Sequence, residues 1–201
     1  MRLDEHGQLL VNEAFQTNVP HIYAAGDVIG GHALASTAME EARMAMGHAF
    51  PFRGSYRLND VTAGLGSKSG VNAFLPIGIW TIPEISMVGE TEQSLRLKGM
   101  AHVVGRWRYD DNPRGMLIGE RCGLVKLLFS VPDRTLRGVH VMGDDACELI
   151  AAGLVAITLG ATCSTFIDTC FNYPSLSELY KYAAYDALDR ISRGDVFRPS
   201  A

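Results

Sequence analysis

The residues best suited to bind a ligand in this sequence are Gly26 and Asp27, which follow the short apolar run Ile22–Ala25. A run of this length and composition predicts a strand, and a glycine directly after it is typical of a close approach of the backbone. In open α/β sheets, ligands bind at the carboxyl ends of the strands. We therefore expect the Asp27 carboxylate to face a ligand, although spacing alone also fits an ordinary loop or capping aspartate.

Two other kinds of chemistry are excluded by spacing. The cysteines form no C-x-x-C pair and no His/Cys cluster with the spacing of a zinc site, so we expect free, buried thiols in a reducing compartment and no metal. The glycine-rich stretch 64–70 lacks the Gly-Lys-Ser/Thr ending of a phosphate-binding loop, and we interpret it as a connector. The sequence thus assigns no metal ligand and no catalytic residue. The four cysteines are Cys122, Cys147, Cys163 and Cys170.

Composition limits the classes of partner. The chain has 201 residues, 47% of them hydrophobic, and a net charge of −4, with no run of basic residues that would suit nucleic acid or an anionic membrane surface. Its first residues are too polar for a signal peptide, and no apolar run approaches the roughly 20 residues that cross a bilayer. We expect a cytoplasmic protein of one to two domains that binds neither nucleic acid nor membranes.

A helix is predicted to begin near Ala33, because small apolar residues recur on one helical face. We expect this face to pack as core, and the helix amides to point at anything bound near Asp27. Residues 51–75, rich in glycine and serine, are interpreted as an exposed connector. The face consists of Ala35, Ala38, Met39, Ala42, Ala45, Met46 and Ala49.

The remainder, residues 76–201, reads as an α+β domain: an antiparallel sheet with helices on one face. The last helix starts at Ser175–Glu178, whose spacing predicts a capping box in which Glu178 satisfies the helix start. Residues 131–135 supply the turn of a hairpin. Predicted strands cover 78–81, 103–109, 115–119, 124–129 and 136–142, and predicted helices cover 91–98, 145–159 and 176–192.

Three segments together resemble the pyridine nucleotide-disulfide oxidoreductase family of flavoenzymes. They are residues 22–28 (Ile-Tyr-Ala-Ala-Gly-Asp-Val) with 33–36 (Ala-Leu-Ala-Ser), residues 81–89 (Thr-Ile-Pro-Glu-Ile-Ser-Met-Val-Gly) and residues 137–143 (Arg-Gly-Val-His-Val-Met-Gly). The resemblance implies that residues 1–50 are the C-terminal remnant of an FAD-binding α/β domain and that residues 76–201 are a dimerisation domain. It also implies a homodimer built through the helices at 145–159 and 176–192.

The resemblance further implies an FAD site in which Asp27 meets the ribityl or phosphate end and the backbone of Leu34, Ala35 and Ser36 meets the isoalloxazine ring. The family holds FAD and NAD(P) with Gly-x-Gly-x-x-Gly turns, and neither turn occurs in this sequence. The expectation is a C-terminal part that works with a missing N-terminal half, and that alone is inactive and binds no FAD tightly.

Residues 171–178 (Phe-Asn-Tyr-Pro-Ser-Leu-Ser-Glu) distinguish members of this family. Disulfide reductases carry a histidine where this chain has Tyr173, and that histidine pairs with a glutamate at the position of Glu178. The sequence here is similar to the soluble transhydrogenase branch, which moves hydride between NADPH and NAD+ through FAD and needs no thiol acid. A stand-alone dimerisation module and a part of a dihydrolipoamide dehydrogenase-like reductase stay open as alternatives.

Overall fold

The computed structural model describes residues 1–50 and 74–199, which belong to two compact units, Met1–Ala73 and Phe74–Ala201. The predicted connector at 51–75, including its glycine-rich stretch, lies outside the described residues except for Phe74 and Leu75.

The first unit consists of tight turns followed by one long helix. Residues 15–24 fold back on themselves, with Thr17 N–H bonded to the Ile22 carbonyl and Ala24 N–H to the Phe15 carbonyl. The strand predicted at 22–25 is therefore wrong: only an isolated bridge between Gln16 and Tyr23 forms. The run pairs with its own preceding turn, which is too short to support a ladder. A 3-10 turn at Gly26–Ile29 follows.

Helix α1 spans Ala35–Ala49, two residues later than predicted. Its buried side consists of Thr37, Glu41 and Ala45, whereas Met39 and Met46 of the predicted alanine and methionine face are each 56% exposed. The prediction of that face as core is therefore wrong except at Ala45. The Glu41 side chain bonds the Gly26 backbone, and this contact turns a polar stripe of the helix toward the 26–30 turn.

The second unit is built on a five-stranded antiparallel sheet in the order β1-β2-β5-β4-β3, as the α+β prediction requires. The strand predicted at 115–119 is wrong: residues 113–118 are helical and Gly119 ends the helix, because Asn112 accepts hydrogen bonds from the Arg114 and Gly115 amides and Pro113 occupies the first helical position. The strands are β1 Ile77–Ile79, β2 Ile85–Gly89, β3 His102–Arg108, β4 Leu124–Ser130 and β5 Leu136–Met142.

Five helices accompany the sheet in the described part of this unit. The two longest, α4 and α6, coincide with predicted helices, whereas α5 and strand β2 were not predicted. The predicted capping box at Ser175–Glu178 is wrong, because Ser177 is the N-cap residue, has helical backbone angles and forms no side-chain cap. The helices are α2 Glu92–Leu97, α3 Pro113–Ile118, α4 Ala146–Thr158, α5 Cys163–Asp168 and α6 Glu178–Arg193.

The two faces of the sheet differ in chemistry. Val125, Leu127 and Val139 lie on the apolar face and join one buried cluster with α4, α5 and α6. The opposite face carries a cross-strand row in which Arg106 pairs with Lys126 and Lys126 with His140. Glu92, the first residue of α2, bonds both Arg106 and Lys126, so the positive charges of the row are partly neutralised.

Gly105 sets the distance between β3 and α6. A Cβ atom at this position would lie 1.9 Å from the Ala183 carbonyl oxygen and 2.8 Å from the Ala187 Cβ atom. The helix backbone therefore rests directly on the strand, and any side chain at 105 must displace it.

We expect Gly105→Ala to lower the free energy of unfolding by about 1–3 kcal/mol, as overpacking of a close-packed core does. Denaturant unfolding followed by circular dichroism measures the loss. Gly47→Ala is the control, because a Cβ there meets no described atom within 4 Å and the helix should tolerate it. Equal stability of Gly105→Ala and the wild type would contradict the close approach.

His140 predicts a pH dependence of stability. Burial lowers the pKa of His140 from its ordinary value of 6.5, and the neighbouring Lys126 lowers it further, against the Glu90 carbonyl and the Glu92 carboxylate. Its Nε2 lies 3.0 Å from the Glu90 carbonyl oxygen. Because the unfolded state then binds the proton more readily, stability is present above about pH 6.5 and is lost as the pH falls below it.

The measurement is the melting temperature between about pH 7.5 and 5.5, above the range in which carboxylates titrate. The wild type should lose stability across this window, and His140→Gln should lose less. His21→Gln, which changes an exposed histidine, should follow the wild type. Parallel pH profiles for wild type and His140→Gln would refute the assignment.

Candidate functional site

The turn that carries Asp27 is fixed by its preceding residue. Gly26 has a φ of +77°, a conformation that favours glycine, and a Cβ atom there would lie 3.0 Å from the Ala38 Cβ atom. Its N–H donates to Glu41 Oε2 at 2.7 Å. The backbone on the N-terminal side of Asp27 is thus bound to the second turn of α1.

Asp27 itself is exposed, and its side chain forms no hydrogen bond or ion pair among the described residues. Its carbonyl accepts the Gly30 N–H at 3.1 Å, which closes the 3-10 turn. The carboxylate is therefore presented by a fixed backbone and free to accept hydrogen bonds from a ligand.

The predicted residues Leu34, Ala35 and Ser36 form the start of α1. Leu34 is the N-cap residue, with an extended backbone and no side-chain cap, so the first amides of the helix have no acceptor within the helix. Ala33 before it has a φ of +50°, an unusual conformation for a residue with a side chain. The backbone therefore changes direction at Ala33, directly before the free amides of the first helical turn.

A small concavity lies between the turn and the helix. Asp27 and Leu34 both line it, whereas Ala35 and Ser36 do not. Two lining residues escaped the sequence analysis, Thr37 and Glu41, and each is only 4% exposed. Their spacing of four residues places them on one side of the helix, but neither belongs to the predicted apolar face, so the sequence carried no signal that this side is buried.

The chemistry available here is that of binding. A carboxylate and helix amides together accept and donate hydrogen bonds to a ligand with hydroxyl groups and partial negative charge. Among the described residues, no group of His, Cys, Asp and Glu could hold a metal ion. The concavity lining contains His32 but no serine or cysteine nucleophile beside it.

The segment before α6 does not have the side chains of an acid/base pair. Tyr173 is 73% exposed, and Glu178 is 8% exposed with no partner for Oε2 within the described parts of the chain. The adjacent cleft is lined by Arg114, Asp145 and Glu148, among others, and none of its described lining residues is a histidine or cysteine. The segment 171–178 itself contains Tyr173 and no histidine that could pair with Glu178.

Cys163 is buried and Cys147 is half-buried, whereas Cys122 and Cys170 are exposed, so the expectation of buried thiols is wrong for the last two. Burial raises the pKa of Cys163 to about 12, and burial together with Glu84 raises the pKa of Cys147. Both thiols therefore stay protonated near neutral pH. Within residues 1–50 and 74–199, none of the helices combines the length and the apolar character of a membrane span.

Comparison with known proteins decides the family. The pyridine nucleotide-disulphide oxidoreductase dimerisation domain matches residues 75–184, and the pyridine nucleotide-disulphide oxidoreductase domain matches residues 1–42. The chain belongs to the pyridine nucleotide-disulphide oxidoreductase family. The resemblance found in the sequence is thereby confirmed, and the five-stranded unit corresponds to the family's dimerisation domain.

Two relatives are soluble pyridine nucleotide transhydrogenases. The protein from Mycobacterium tuberculosis (strain ATCC 25177 / H37Ra) is 39% identical over 198 residues, 98% of this chain and 39% of the relative. The protein from Pseudomonas syringae pv. tomato is 37% identical over 195 residues, 95% of this chain and 39% of the relative. The chain therefore spans about 39% of the length of these relatives.

Solved structures agree on the fold. The HOCl-induced flavoprotein disulfide reductase RclA from Escherichia coli superposes with a TM-score of 0.77 at 21% identity, over 94% of this chain and 40% of that one. LpdA from Mycobacterium tuberculosis superposes with a TM-score of 0.73 at 28% identity, over 92% of this chain and 38% of that one. At 21% identity, the likeness to RclA extends to the fold alone.

Proposed function

We propose that this chain is the C-terminal part of a soluble NAD(P)+ transhydrogenase, an FAD enzyme that moves hydride between NADPH and NAD+. The observation that carries the proposal is the segment 171–178, where Tyr173 is exposed and Glu178 is buried without a histidine. Hydride transfer needs no protein acid, whereas thiol release does. The names of the relatives support the same activity.

The first unit fits one edge of an FAD site. Asp27 offers an exposed carboxylate to ribityl hydroxyls, and the backbone of Leu34, Ala35 and Ser36 offers helix amides to electron-rich oxygens of the flavin. Bound flavin supplies the hydride chemistry, and these residues bind and orient it. The Gly-x-Gly-x-x-Gly turns for FAD and NAD(P) would come from an N-terminal half outside this sequence.

The second unit would pair with a second copy to form a homodimer. On the side of α4 that points away from the sheet, Val155 is 59% exposed and Leu159, which directly follows the helix, is 79% exposed; Tyr185 of α6 is 47% exposed. Exposed apolar stripes of this kind mark association surfaces. We place the enzyme in the cytoplasm, without nucleic acid or membrane partners, since its net charge is −4 and its relatives are named soluble.

A dimerisation module without catalysis is the second candidate, because the sequence contains no Gly-x-Gly-x-x-Gly turn. The two candidates differ in what the complete reading frame encodes, so both are tested on the protein expressed from it.

That protein should be yellow and should reduce an NAD+ analogue with NADPH, with little reduction of lipoamide or glutathione disulfide. Robust disulfide turnover would contradict the transhydrogenase proposal, and absence of flavin would favour the module. Asp27→Ala should weaken FAD binding roughly 10- to 100-fold, the value of a hydrogen bond to a charged group. Glu13→Ala, which removes an exposed carboxylate of the same unit, should leave FAD binding unchanged.

The dimer is tested by replacing Val155 and Leu159 together with aspartate. Charges in an apolar contact cannot be solvated, so light scattering should show a monomer at micromolar concentration where the wild type is a dimer. Leu97→Asp is the control, because Leu97 is 90% exposed on α2, outside the proposed interface. A monomeric wild type would refute the proposal.

A further inference from the structure

A polar cavity of about 160 Å³ lies within the second unit, at the edge of the sheet that β3 forms. One water needs roughly 15 Å³ of such volume, so the cavity has room for a small ion. Arg96 of α2, Arg106 of β3 and Arg190 of α6 line it, together with Glu92 and Asp195. The lining therefore carries three positive and two negative charges, an excess that favours an anion.

Glu92 is shared by three cations. Its carboxylate lies 3.8 Å from Arg96, 3.0 Å from Arg106 and 3.2 Å from Lys126. One carboxylate cannot neutralise three cations, so positive charge remains on this side of the cavity, whereas Arg190 is matched by two carboxylates. The Arg96 side chain forms no hydrogen bond among the residues that the structure describes, so its five N–H donors are available to an anion.

Phe197 holds the Arg96 guanidinium beside the cavity. The guanidinium carbon lies 5.5 Å from the Phe197 ring centroid, within the range of a cation–π contact. Phe197 is itself fixed to β3, because its N–H and carbonyl both bond the His102 backbone and the two rings lie 4.9 Å apart. The least neutralised cation is thus held in position by packing.

His102 adds a hydrogen-bond acceptor to the same cavity. The residue is 1% exposed and belongs to the lining. Its Nδ1 atom lies 2.9 Å from the Met100 carbonyl oxygen, so Nδ1 carries the proton and Nε2 is an acceptor. Nε2 has no partner in residues 74–199 and is not fully enclosed. A ligand in the cavity can therefore donate a hydrogen bond to it.

We propose that this cavity binds inorganic phosphate, with Arg96 and Arg106 donating to its oxygens and its P–OH group donating to His102 Nε2. Hydrogen bonds between guanidinium groups and phosphate are charge-assisted and therefore strong. At pH 8 inorganic phosphate keeps a P–OH group and sulfate has none. A phosphate monoester has lost its second proton at this pH, because the pKa of that proton is about 6. The site therefore prefers inorganic phosphate to both other anions.

The test is an NMR titration of the 201-residue chain at pH 8 and constant ionic strength. Inorganic phosphate should shift the His102 imidazole Nε2 resonance and the backbone amides around the cavity with one common affinity. Sulfate and ribose 5-phosphate should bind at least about tenfold more weakly, since each lacks the hydrogen bond to Nε2. Equal affinities for phosphate and sulfate, or no shift with phosphate, would overturn the proposal.

Two variants separate the cation from the acceptor. Arg96→Gln should weaken phosphate binding roughly 10- to 100-fold, because it removes charge-assisted hydrogen bonds. His102→Asn keeps a donor for the Met100 carbonyl and removes Nε2, so phosphate and sulfate should then bind alike. Arg193→Gln is the matched control, because Arg193 is an exposed arginine of α6 outside the cavity lining. It should bind phosphate as the wild type does.

Circular dichroism shows whether each variant is folded before it is titrated. Wild-type phosphate affinity in folded Arg96→Gln would contradict the role of the guanidinium, and a retained preference for phosphate in folded His102→Asn would contradict the role of Nε2. If His102→Asn does not fold, the Nε2 resonance of the wild type still decides whether phosphate bonds that atom.

Discussion

Tyr180 is the point at which the packing of the second unit converges. Its phenol donates to the Leu149 carbonyl of α4 at 2.7 Å, and its ring stacks on Phe166 of α5 with 5.6 Å between centroids. Burial raises the pKa of Tyr180, so the phenol stays a donor at any ordinary pH. One side chain of α6 therefore fixes the positions of the two other helices over the apolar face of the sheet.

This arrangement decides which surfaces are left for function. The Gly153 side of α4 lies against Val139 and the Tyr180 hydroxyl, which leaves the Val155 and Leu159 side uncovered in the described part of the unit. The segment between α5 and α6 is held at its centre, where Asn112 Nδ2 donates to the Ser175 carbonyl. Tyr173 is presented outward and Glu178 is drawn inward as consequences of the same packing.

Helices and strands with a regular apolar pattern and recognisable turn residues could be predicted from the sequence. Elements that depend on a contact with another residue could not. The hairpin of β4 and β5 and the amphipathic helices α4 and α6 follow from periodicity and turn residues. Residues 115–119 look like a strand in isolation, and only the cap from Asn112 makes them helical. The buried side of α1 was missed because Thr37 and Glu41 are polar, and the bond that accompanies the burial of Glu41, from the Gly26 N–H, joins residues fifteen apart in the sequence.

In the candidate site, too, some residues could be predicted from the sequence and others could not. Asp27 could be predicted because a carboxylate after a glycine is visible in the sequence, whereas Thr37 and Glu41 become meaningful only when the turn and the helix are in contact. A helix optimised for stability would place alanine or leucine on that buried side and would leave no hydroxyl unpaired. The first unit instead keeps two polar residues there. Local rules of stability are therefore broken beside Asp27, where Glu41 binds the Gly26 amide and Thr37 Oγ1 has no partner among the described residues.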